Sequence, residues 1–154
     1  MSTFPARILL ATDGSEQAEL AALMAVELAD ATPSELHVVH VGVVPSFLKS
    51  YPGTLGYERR LYEQIEEMSR ELLRKQSLQV KAAGGTVAGT HLRMGEVALE
   101  IVALAEELQA DLIVMGSRGL GGVRRALMGS VSDSVVRHAH CPVLVVRPEK
   151  GQAA

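Results

Sequence analysis

Three short aliphatic runs limit the folds open to this chain: Ile8–Ala11 (ILLA), Leu112–Met115 (LIVM) and Val143–Val146 (VLVV). No polar residue interrupts them, so a strand made from any of them has both faces apolar. Strands of that kind belong to a parallel sheet covered by helices on both sides. Five strands are predicted in all: Arg7 to Thr12, Leu36 to Val43, Thr86 to Leu92, Leu112 to Met115 and Val143 to Val146. Four helical segments alternate with them. Ser15 to Asp30 is rich in Ala and Leu. Tyr57 to Ala82 spaces Leu61, Ile65, Met68 and Leu72 as one apolar stripe. Glu96 to Gln109 carries Val97, Ile101, Leu104 and Leu108, and Gly129 to His138 carries Val131 and Val135. The alternation predicts an open, doubly wound α/β fold, a Rossmann-like parallel five-stranded sheet with four helices.

The 154 residues fit one domain, 1–154, with no internal repeat. Aromatic residues make up 3% of the chain and tryptophan is absent. The core is therefore aliphatic, and a base-stacking nucleic-acid platform is excluded. A net charge of −3 removes the general attraction to nucleic acid or anionic lipid. Cys141 is the single cysteine and forms no internal disulfide, which predicts a reducing compartment. With neither a signal peptide nor a membrane-spanning run, the expected location is the cytoplasm. Val44 to Gly56 reads as a long loop, either a surface connection or a lid, and Pro148 to Ala154 as a frayed tail.

In open α/β sheets, ligands sit beyond the carboxyl ends of the strands where strand order reverses. For the order 3-2-1-4-5, the loops meeting there are Asp13-Gly14-Ser15 and the stretch from Gly116 onward. That stretch runs Gly116-Ser-Arg-Gly119, nine residues, then Gly129-Ser130. Glycines let backbone N–H groups approach an anion, and a helix starting at Gly129 and Ser130 turns its N-terminus toward it. Ser130 and Ser132 add hydroxyls. Turn geometry and tight helix packing account for the same glycines equally well. The loop is neither a Walker A loop nor a dinucleotide fingerprint. Asp13 is either a helix N-cap or a carboxylate for ribose hydroxyls, and Ser15 is an alternative cap. Arg118, Arg124 and Arg125 flank the loop, and a solvated face competes with a phosphate role for them. His138, His140 and Cys141 read as structural.

Three pieces carry a family resemblance: ILLATDGS at Ile8–Ser15, HVVHVGVV at His37–Val44, and the block from Ile113 to Pro148. The block holds the pattern G-x2-G-x9-G-S/T, complete at Gly116, Gly119, Gly129 and Ser130. The chain resembles the universal stress protein family, in its ATP-binding branch, over essentially its whole length. The resemblance implies the 3-2-1-4-5 sheet of the adenine nucleotide α-hydrolase-like folds. It also implies a site for ATP, with Mg or Mn arriving through the phosphates. Asp13 would meet the ribose, and Thr12 and the backbone of Val41 would border the adenine. Met115 and Gly116 would line the ribose and α-phosphate side. Gly119, Gly129, Ser130, Val131 and Ser132 would cradle the phosphates. A homodimer joined along Val143–Val146 is implied as well.

The function expected from this is a regulatory nucleotide-binding module of the stress response, acting on a protein partner that the sequence does not identify. A slow ATPase or nucleotidyl-transfer enzyme is one alternative, and a dimeric interaction protein with a vestigial site is another. No catalytic or metal-ligating residue is assigned.

Overall fold

The structure is a computed structural model and describes residues 6–45, 55–118 and 128–148. The elements follow in the order β1 (Arg7–Ala11), α1 (Glu16–Ala31), β2 (Glu35–Val43), α2 (Leu55–Ala82), β3 (Val87–Gly95), α3 (Val97–Leu108), β4 (Leu112–Gly116), α4 (Ser130–His138) and β5 (Val143–Val146). The strands form one parallel sheet in the order β3-β2-β1-β4-β5. Strand order reverses between β1 and β4, as the family resemblance implied.

The two faces of the sheet bury separate cores. Ile8, Leu10, Leu36 and Val38 pack with Ala21, Ala22 and Ala25 of α1 and with Leu73 and Val80 of α2. Leu9, Ala11, Val39, Val41, Ile113 and Met115 pack with Ala98, Ile101 and Leu104 of α3 and with Val135 of α4. Alternate residues of each strand go to opposite faces, which explains why the ILLA run of β1 and the LIVM run of β4 carry no polar interruption. Residue ends agree closely with the sequence reading. The largest change is β3, which runs on to Gly95 because β2 continues to pair with it through Val43.

The face of α2 needs correction. Met68 is 74% exposed, so it does not belong to the buried stripe. The residues that α2 buries most deeply are Ser69, Leu73, Gln76, Ser77 and Val80. Three of these five are polar. Gln76 is accepted because the Thr12 hydroxyl, just past the end of β1, lies 2.9 Å from its Oε1, while its Nε2 donates to Gln79 Oε1 of the same helix. Ser77 donates to the Leu73 carbonyl. Of the long loop expected at Val44 to Gly56, α2 takes Leu55 and Gly56. Residues 46–54 and the tail 149–154 lie outside the described residues.

Candidate functional site

A cavity of about 550 Å³ opens at the carboxyl end of the sheet, where β1 and β4 diverge. That size is in the usual range for a small-molecule site. Its floor is Ala11, Val39, Val41 and Met115, and its α3 wall is Val97 and Ile101. Thr12, Asp13, Gly116, Gly129, Ser130, Val131 and Ser132 also line it, so nine of the ten residues singled out in the sequence converge on one space. The tenth, Gly119, lies outside the described residues, as do Arg124 and Arg125.

The first loop is built by its own side chains. Asp13 Oδ1 accepts from Ser15 N–H at 2.9 Å, and Gly14 takes a positive φ of 81° that closes the turn. Ser15, not Asp13, caps α1, its hydroxyl accepting from Ala18 N–H at 3.2 Å. The Asp13 carboxylate is therefore held at the rim of the cavity by the turn itself.

The second loop closes on the carbonyl of Ser117. This oxygen accepts from Gly129 N–H at 2.6 Å and from Ser132 Oγ at 2.7 Å. Ser117 is also bound to β5, its N–H donating to the Val146 carbonyl. The expectation of a Ser132 hydroxyl donor is corrected here: that hydroxyl points inward, onto the Ser117 and Gly129 carbonyls. Gly129 is the N-cap of α4 and supplies no side-chain cap. The first-turn N–H groups of Ser130, Val131 and Ser132 have no partners within the helix. They face the cavity with the positive end of the helix dipole.

Gly116 serves packing. A Cβ at that position would lie 2.9 Å from the backbone carbonyl carbon of Gln17, inside α1. Its small size lets α1 approach β4, and Gln17 uses that approach: Oε1 accepts from the Ser117 hydroxyl and from Arg118 N–H.

Between the two loops the β1–β2 ladder stops. Thr12 N–H donates to the Val39 carbonyl at 3.0 Å, so Val39 and, two residues on, Val41 direct their backbone groups toward β1. β1 ends at Ala11. The Thr12 carbonyl, the next acceptor of the ladder, takes His40 Nδ1 at 2.8 Å instead. The N–H and C=O of Val41 thus project beyond the end of β1, a donor and an acceptor side by side at the cavity edge.

His40 and Ser69 line the cavity and were not singled out from the sequence, and Leu72, read there as part of the apolar stripe, lines it too. Period-two alternation was the available signal for His40: it shares the face of Val38, the same face as Thr12. Ser69 enters because Gly42 leaves it room, a Cβ there falling 2.5 Å from Ser69 Oγ. His138 and His140 lie away from the site, the first on the Ser134 carbonyl and the second paired with Glu106.

A model of the universal stress protein family matches residues 6–147. A putative universal stress protein of Staphylococcus haemolyticus is 39% identical over 144 residues, covering 93% of this chain and 85% of that one. Among solved structures, a universal stress protein in complex with cAMP is similar at a TM-score of 0.66 and 27% identity, covering 94% of this chain and 98% of that one. The universal stress protein from Archaeoglobus fulgidus in complex with dAMP has a TM-score of 0.65 and 27% identity, over 94% and 99% of the two chains. Among the described residues no helix is long and apolar enough to cross a membrane.

Proposed function

The chain belongs to the universal stress protein family, and from that premise we propose that its cavity binds an adenine nucleotide, with ATP as the preferred ligand. One observation carries the reading: a single cavity joins the Val41 backbone pair, the Asp13 carboxylate and the α4 N-terminus. The Val41 N–H and C=O match the acceptor and donor on the edge of adenine. Asp13 accepts from ribose hydroxyls. The N–H groups of Ser130, Val131 and Ser132 take the phosphates, and Gly129 admits their approach. Thr12, Met115 and Gly116 shape the walls. Mg or Mn enters on the triphosphate. Two relatives of the same fold hold cAMP and dAMP, which supports an adenine nucleotide as the ligand class.

The role that follows is regulatory. Among the described residues the cavity lining supplies groups that hold phosphates and one carboxylate, Asp13, which this reading assigns to the ribose. Nucleotide occupancy would bias the surface around the two loops and so be sensed by a partner. The edge strand β5 offers the contact for a homodimer.

The test is to purify the protein without added nucleotide, denature it, and resolve the supernatant by ion-pair chromatography. Retained ATP is the expected result. If no nucleotide is retained and millimolar Mg·ATP leaves the melting temperature unchanged, the reading fails.

A further inference from the structure

Away from the cavity, β2 and β3 place two histidines side by side on the sheet face that carries Val39 and Val41. In the β2–β3 register His37 lies opposite Gly89, and His91 lies opposite Val39. His37 Nδ1 and His91 Nε2 are 3.1 Å apart. The other ring nitrogen of His37, Nε2, is 3.3 Å from Glu35 Oε2, which also accepts from Arg7 Nε. An ionised carboxylate only accepts, so His37 carries a proton on Nε2 and, when neutral, directs a lone pair from Nδ1 toward His91. A carboxylate on the far N–H of an imidazole is the usual support for a metal-bound histidine, because it fixes the tautomer and raises basicity.

The spacing suits a shared ion. Two nitrogens bound at about 2.0–2.1 Å stand about 2.9 Å apart at a right angle and about 3.3 Å apart at the tetrahedral angle. The observed separation falls between these values. The space beside the pair is kept open by Gly89, where a Cβ would lie 3.0 Å from His37 Nδ1 and 3.2 Å from His91 Nε2. Arg93, on the same face, is held by Glu107.

We propose that His37 and His91 form a two-nitrogen chelate for a borderline divalent ion of the Zn²⁺, Ni²⁺ and Cu²⁺ class, with water in the remaining positions. Imidazole nitrogen suits these ions. Among the described residues no group of three or more His, Cys, Asp or Glu is gathered for a metal, so this is an open, exchangeable site and not a closed structural one. When the ion enters, a neutral His91 gives up the proton on Nε2 and carries one on Nδ1 instead, whereas a His91 imidazolium releases its Nε2 proton to solvent and keeps the one on Nδ1.

The five histidines of the full chain can be followed in long-range ¹H–¹⁵N imidazole spectra during a Zn²⁺ titration without nucleotide. The His37 and His91 signals should move first and saturate at one equivalent, before those of His138 and His140. His91→Ala should weaken Zn²⁺ binding at least tenfold, and Gly89→Val should do the same by filling the space. Glu35→Gln should weaken it about tenfold through His37. Movement of His138 or His140 first, or a His91→Ala protein that binds Zn²⁺ like the parent, would overturn the proposal.

Discussion

His40 Nδ1 donates to the carbonyl of Thr12 at 2.8 Å, and this bond ends the β1–β2 ladder one step early. Without it, the natural donor for the Thr12 carbonyl is the N–H of Val41. The histidine therefore keeps the Val41 donor turned to the cavity. His40→Leu should let β2 take up the Thr12 carbonyl and extend the ladder. The expected outcome is adenosine and ATP affinity lowered together, by about threefold to tenfold, the worth of one hydrogen bond. Calorimetric titration with both ligands checks it. A variant that lost ATP alone would place His40 on the phosphate side and contradict this assignment.

Gly116 and Gly129 should separate stability from binding. A Cβ at position 116 would meet the Gln17 backbone at 2.9 Å, whereas one at 129 would find its nearest atoms at 3.4 Å. Gly116→Ala should destabilise the fold by about 1–3 kcal/mol, as overpacking against backbone does. Gly129→Ala should leave stability within about 0.5 kcal/mol and lower ATP affinity by crowding the phosphates. Urea denaturation beside ATP titration reads both. If Gly116→Ala melts like the parent, the packing role given to that glycine is wrong.

Cys141 gives a pH signature. Burial, together with the charge of Asp111, pushes its thiol above the usual 9.0. The unfolded chain loses this proton first as the pH rises. Stability linked to Cys141 is thus complete below about pH 9 and is lost as the pH climbs through the higher folded value. Denaturation midpoints between pH 8 and 10 should fall with pH, and Cys141→Ser should flatten that fall. At pH 8, iodoacetamide should modify the native thiol more slowly than the thiol in urea. Equal rates would contradict the assignment.

The edge of β5 supplies a clean test of the proposed dimer. Ile113 N–H donates to the Pro142 carbonyl and Ser117 N–H to that of Val146, so the even-numbered residues of β5 face β4. Val143 and Val145 therefore direct their backbone groups outward, from the sheet edge. Val145→Pro removes an outward N–H that the sheet does not use, a substitution edge strands accept. Sedimentation velocity should show a dimer for the parent and a monomer for this variant. A monomeric parent would remove the dimer from the account.

Much of the fold was legible because burial on both faces leaves a plain mark: ILLA, LIVM and VLVV had no other comfortable place. The α2 face was misread for a physical reason. The stripe through Met68 assumed that the buried side of a helix is its apolar side, whereas Thr12 opposes Gln76 and Gly42 leaves room for Ser69. The glycine loop was legible as a motif, but its glycines differ in what they do. Gly116 admits a helix, and Gly129 leaves the start of α4 without a side-chain cap. Ser132 looked like a phosphate donor from its type alone, and only its partner, the Ser117 carbonyl, shows that its hydroxyl is already engaged. The role of Val41 depends on where β1 stops, which no local pattern records.

In the proposed function one cleft reads adenine at one end and phosphate at the other. Amide spectra of the ¹⁵N-labelled protein during titration with Mg·ATP test this directly. The N–H signals of Val41 should shift with adenosine and with ATP, and those of Ser130 and Val131 with ATP only. Absence of shifts at millimolar ATP, or shifts confined to residues outside this cavity, would contradict the central claim.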